Sequence, residues 1–174
     1  MQPSLLVAIV DAHDSVVPLI STIPDAALGW QPSSDSWSLK QIISHLAHAN
    51  DFYVMIVDEA RATRFGTLQL HPNLVGWQQM LATDAAVAAC TTTVAVLDCF
   101  ERTYQGMLDV LADIQPQELD QPFIFWQPDN QPYTTTLRQR VIQMAAEHMR
   151  EHQVHLSDTL TLWQTTEEMV QERG

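Results

Sequence analysis

One stretch of this chain restricts the fold more than any other. From Leu137 onward a single stripe recurs every three or four positions: Leu137, Val141, Met144, His148, His152, His155 and Thr159. That period predicts one face of an α-helix reaching about Trp163. The apolar positions of its first half become histidines in its second. A helix with such a face must bury it against other elements, and each buried imidazole must find partners for two nitrogens.

Three further segments carry the same period, and no strong strand alternation competes with them. The first runs from about Ser4 to Ser21, with Leu5, Ile9, Ala12, Val16 and Ile20 inward and Pro18 set to kink or loosen its last turn. The second runs from about Ser38 to Thr63. Ser38 and Gln41 have the spacing of a capping box there, and Trp37 and Ile42 that of a hydrophobic staple. The third runs from about Asp84 to Ala112. Its Val87, Cys90, Val94, Leu97, Tyr104, Leu108 and Leu111 follow a heptad rhythm that Glu101 interrupts. Thr136 and Gln139 offer a second capping box at the start of the fourth. Helices of these lengths predict an all-α, four-helix bundle formed by one domain over residues 1–174. Long loops join helices 2 and 3 (roughly Arg64 to Thr83) and helices 3 and 4 (roughly Asp113 to Thr135). The latter carries Phe123-Ile124-Phe125-Trp126 between prolines, a short lid or an apolar plug for one end of the bundle.

Charge narrows the partners. Eight Lys and Arg against 21 Asp and Glu leave a formal charge of −13. Such a surface repels phosphate backbones, so nucleic acid is not an expected partner. Apolar runs are too short and too interrupted to span a membrane. The opening Met1-Gln2-Pro3-Ser4 lacks the basic flank of a secretory signal, so a cytoplasmic location is expected. Cys90 and Cys99, nine residues apart on one predicted helix, should point in opposite directions and be unable to bond to each other.

The histidines carry the chemistry. His148 and His152 are four apart, so their rings share one helical face and can chelate one ion. In the second helix the inward stripe reads Ile42, His45, Leu46, Ala49, Phe52, Tyr53 and Ile56, which turns His45 inward and leaves His48 at the rim. Three imidazoles projecting into one bundle repel when protonated and satisfy each other poorly when neutral. A divalent cation that accepts a lone pair from each removes the conflict. The run His148-Met149-Arg150-Glu151-His152 lacks Glu directly after the first His, which excludes the H-E-x-x-H protease pattern. It matches the inverted H-x-x-E-H pattern by coincidence, because the downstream acidic ligand of that family has no room in the 22 residues that follow.

At this point the residues resemble a known family. Leu28-Gly29-Trp30-Gln31-Pro32, followed by Trp37-Ser38-Leu39-Lys40-Gln41-Ile42-Ile43-Ser44-His45-Leu46, is similar to the opening of the DinB-like (YfiT-like) metalloenzymes. Glu147-His148-Met149-Arg150-Glu151-His152-Gln153-Val154-His155-Leu156 resembles their fourth helix, and Phe100-Glu101-Arg102-Thr103-Tyr104 more loosely their third. The resemblance implies a four-helix bundle whose three-histidine site is His45, His148 and His152, holding a divalent transition metal, zinc or nickel, with water completing the shell. His155 stands where the family often has Gln, and the stripe makes it a neighbour of the ligands or a replacement for one of them. Family members with assigned roles include mycothiol- and bacillithiol-dependent transferases and isomerases. A small-molecule substrate, including a low-molecular-weight thiol, is therefore the expected partner.

Two functional readings remain open from the sequence. The first is a metal-dependent transferase or hydrolase, since three neutral imidazoles with an open position suit catalysis better than structure. The second is a non-catalytic metal-bearing binding or sequestration module. For the first reading Glu101, at a position where an apolar residue was expected, is the candidate proton carrier. Asp51, Glu147 and Glu151 read as solvated helix charges. A homodimer is expected from the resemblance and from Trp77, Phe123, Phe125 and Trp126 in predicted loops.

Overall fold

The structure, a computed structural model, describes residues 3–69, 85–126 and 131–172, with side chains from residue 6 onward. The predicted positions Leu5, as a side chain, and Trp77 lie outside the described residues, as does most of the predicted loop between helices 2 and 3. Four long helices carry the fold. Helix α1 (Pro3–Ser21) runs through Pro18 without ending and buries Ile9, Ala12, Val16 and Ile20. Helix α2 (Leu39–Ala62) begins at the predicted box. The Gln41 N–H donates to Ser38 Oγ at 3.2 Å, and the Ser38 N–H donates to Gln41 Oε1 at 2.8 Å. It is the most buried of the four, with Leu39, Ile42, Ile43, Leu46, Ile56 and Val57 at or near zero exposure, and it packs against the third and fourth of them.

The predicted third helix is two helices. α3 (Ala85–Ala89) stops short, and α4 (Thr93–Asp113) starts anew with Thr92 as its cap. The Ala95 N–H donates to Thr92 Oγ1, while Thr93 donates its N–H to Asp25 Oδ1 at 2.7 Å and its hydroxyl to the Ile23 carbonyl at 2.7 Å. These bonds anchor the start of α4 on the α1–α2 connection. They also reset the helical phase, so Val94, expected inward, is 70% exposed, and Val96 and Phe100 take the core positions. Tyr104 and Leu111 are buried as predicted, with Met107 rather than Leu108 fully buried between them.

After the short helix α5 (Pro116–Leu119) comes β-structure that the sequence reading did not expect. Strands β1 (Thr67–Gln69), β2 (Phe123–Trp126) and β3 (Tyr133–Thr135) form one small sheet in that order, β1 parallel to β2 and β2 antiparallel to β3. The run Phe123-Ile124-Phe125-Trp126 alternates after all: Phe123 and Phe125 are buried, Ile124 and Trp126 are not. It closes one end of the bundle as a strand rather than as a loose plug.

The last helix opens as a π-helical turn (Arg138–Gln143) and continues as α6 (Met144–Gln171). A π-turn holds more residues per revolution than an α-turn, so the face it presents slips. Met144, on the predicted inward stripe, is 38% exposed, and Ala145, Ala146 and Met149 are buried instead. His45 meets His148, and Tyr53 lies in the field of Arg140, so α2 and the last helix run antiparallel. No helix among the described residues is long and apolar enough to cross a membrane.

Candidate metal centre

Where α2 faces α6, His45, His148 and His152 form one cluster whose ring nitrogens lie within 4.8 Å of one another. Ring centroids are 4.8 Å apart for His45 and His148, 4.7 Å for His45 and His152, and 4.6 Å for His148 and His152. Each pair meets edge to face, so the rings surround a common point rather than stack. The Nε2 atoms of His45 and His148 approach to 2.9 Å, close to the separation of about 3.3 Å expected between nitrogens sharing a tetrahedral zinc.

Electrostatics keep two of the three neutral. Burial, then the neighbouring His152 and His45, pushes His148 down to about 3. Burial, then His45 and His155, pushes His152 down to about 4. At neutral pH these two rings therefore carry lone pairs, as metal binding requires. The buried Nδ1 of His152 has no hydrogen-bond partner, and such an orphan is costly unless something outside the chain satisfies it. Neutral rings, convergent edges and an orphaned nitrogen all fit a divalent ion.

Trp37 does something other than staple the helix start. Its ring lies 4.8 Å from His45, 5.9 Å from His152 and 6.1 Å from His155, so it walls the histidine layer. Beside it a cleft of about 420 Å³ is lined by Asp35, Ser36, Trp37, His152 and His155. His155 is 5.8 Å from His152, ring to ring, as the predicted stripe implies. His48 is half-buried, and Asp51, Glu147 and Glu151 are exposed.

Glu101 has a different partner. Its carboxylate lies 3.1 Å from His13 Nε2, and the His13 ring stacks on Tyr104 at 3.6 Å. Burial, then Asp14 and Glu101, pushes that tyrosine up to about 12. The structure thus pairs Glu101 with an α1 histidine that the sequence reading passed over, although His13 lies one position past the Ile9–Ala12 stripe. Arg140 was also missed. Its guanidinium is buried 4.2 Å over the Phe125 ring, its Nη1 donates to Met144 Sδ at 2.9 Å, and its Nε has no partner. Eight residues before His148, it falls off the predicted stripe of a regular helix, so the spacing carries no signal for it.

The comparisons with known proteins agree with this architecture. The sequence model of the DinB superfamily matches residues 8–156. A solved structure of YfiT from Bacillus subtilis, described as a probable metal-dependent hydrolase with an unusual four-helix bundle topology, superposes with a TM-score of 0.66. The two share 13% identity, and the match covers 90% of this chain and 83% of that one. A search of curated proteins finds no match.

Proposed function

The chain belongs to the DinB superfamily, and from that premise we propose that it is a divalent-metal-dependent enzyme that holds its ion with His45, His148 and His152. Hydrolysis of a small molecule is the reaction class supported best, because the structurally similar YfiT is described as a probable metal-dependent hydrolase. Transfer of a low-molecular-weight thiol is the finer alternative within the same site. One observation carries the proposal: three convergent, edge-on imidazoles with a cleft opening directly onto His152. That cleft is also what favours turnover over a sequestration module, which would close its ion off.

The chain's own residues divide the work. His45 from α2 and the pair from α6 supply three lone pairs and no charge, so the bound ion would keep most of its Lewis acidity for the substrate. Trp37 walls the site against water on one side. His155, lining the cleft beside His152, is placed to accept or return a proton. Glu101 we assign to holding His13 rather than to proton transfer.

The test begins with elemental analysis of tag-free protein, repeated after gentle chelation and readdition of zinc or nickel. About one ion per chain is expected. The reloaded protein is then screened for hydrolysis of ester and amide probes and for transfer of cysteine, glutathione or a bacillithiol-like thiol to simple electrophiles. His152→Ala should lose both metal and turnover while keeping its helical circular dichroism, since a core of this size does not depend on one ion. Failure of either metal to bind above background removes the proposal.

A further inference from the structure

The reset between α3 and α4 has set Cys90 and Cys99 side by side, against the sequence expectation. Their sulfurs are 3.6 Å apart, within about 1.6 Å of the roughly 2.05 Å of a disulfide. The two thiols differ in their surroundings. Arg102 Nη2 donates to Cys99 Sγ at 2.9 Å, a contact that strengthens when the sulfur is an anion. Cys99 is the more buried of the two, at 8% exposure, but it lines a cavity of about 270 Å³ together with Arg102, Asp51, Ala86, Thr103 and Gly106. Cys90 is half-buried and donates to the Ala86 carbonyl at 3.3 Å, and burial pushes its thiol up. Lys40 from α2 clamps the segment that carries Cys90, donating to the carbonyls of Ala88 and Cys90 at 2.9 and 3.1 Å.

We propose that Cys90 and Cys99 form a redox-active dithiol site for small disulfides, with Cys99 as the attacking sulfur and Cys90 as the resolving one. In the first step the Cys99 thiolate, its charge faced by Arg102, attacks one sulfur of the small disulfide. A bond forms between the protein and that sulfur, the disulfide bond of the small molecule breaks, and the other half leaves as a thiolate that takes up a proton from water. In the second step Cys90 gives its proton to solvent and attacks the Cys99 sulfur. The Cys90–Cys99 bond forms and the remaining half is expelled as a second thiol. The protein loses two electrons and the small disulfide gains them, so one disulfide becomes two thiols and no further reactant is needed. Excess small thiol runs the steps backwards. The site is separate from the histidine cluster and does not depend on how that cluster is read.

The probe is glutathione disulfide, added to the full-length protein with helicity followed throughout, then quenched by acid and alkylation for mass spectrometry. The expected product has lost two hydrogens and yields a Cys90–Cys99 cross-linked peptide, with helicity unchanged. Cys90→Ser should stop at a glutathione adduct on Cys99, whereas Cys99→Ser should react far more slowly. Arg102→Gln should slow the first step roughly three- to tenfold, because the attacking sulfur loses the cation that contacts it. Absence of the cross-link under excess glutathione disulfide overturns the proposal. So does equal reactivity of the two single variants, or a cross-link that appears only as helicity is lost. An unchanged rate in Arg102→Gln overturns the assignment of Cys99 as the attacking sulfur.

Discussion

At the scale of single residues, the site is a balance between groups that want a partner and groups that have one. His152 keeps a buried nitrogen unsatisfied, while Glu101 and His13 satisfy each other. Two substitutions separate these roles. His155→Ala should weaken zinc binding on the order of 10–100-fold in a competitive metal titration, as loss of a group that supports a ligand does. Glu101→Gln should leave metal affinity unchanged, because its partner lies on α1. Equal loss of metal at His155→Ala and His152→Ala would move His155 into the ligand set. The three clustered histidines were legible because helical spacing fixes which side chains share a face. Arg140 and His13 were not, because neither falls on an apolar stripe. What buries Arg140 is the Phe125 ring, from a strand distant in sequence.

At the scale of elements, the Ser38 cap and the strong periods were legible, whereas the Thr136–Gln139 box forms only in its Gln139 N–H to Thr136 Oγ1 half and phase changes left no trace. The Ser38–Gln41 box starts α2 where the spacing says it should. The end of the predicted third helix was right too. Its beginning failed because Thr92 and Thr93 take hydrogen bonds that stop one helix and start another, and such bonds to residues near Asp25 have no local signature. The Phe123–Trp126 strand is short and becomes visible only when β1 and β3 pair with it. Elements are also tied by charge. Arg61 at the end of α2 donates through Nε and Nη2 to the Glu118 carboxylate, both at 2.9 Å, and reaches Asp113 as well. Those hydrogen bonds hold the Glu118 carboxyl below its ordinary value of 4.5. A lowered folded value means that the pair contributes stability above that ordinary value and loses it as pH falls below. Glu118→Gln should therefore cost about 0.5–1 kcal/mol at neutral pH, a modest figure because both side chains are partly solvated. The cost should vanish in acid, and urea unfolding of both proteins at the two pH values measures the difference.

At the scale of the whole molecule, self-association is the open physical question. We propose a homodimer, although Phe123 and Phe125, part of its motivation, are buried within the chain. Ile124, Trp126, Leu162 and Val170 stay exposed, and a partner copy would cover such side chains. Light scattering over a wide concentration range should give twice the 19.6 kDa chain mass. The chain mass at every concentration would rule the dimer out. The π-helical turn ahead of α6 has a consequence of its own. It works as a vernier between two ends of one rod: residues before it are indexed to the sheet, residues after it to α2. Removing one residue from Arg138–Gln143 would let that turn relax to an ordinary α-helix and leave the two ends oriented much as before, because five α residues sweep about the same angle as six π residues. A deletion of the exposed Gln139 should then leave metal uptake intact, whereas deleting Arg138 and Gln139 together should abolish it, since the second loss has no slack to draw on and turns the ligands by about 100°. The ion's address is in this sense written by a count of residues with one to spare, and a lineage that loses one there keeps its metal chemistry, while one that loses two gives it up without touching a single ligand.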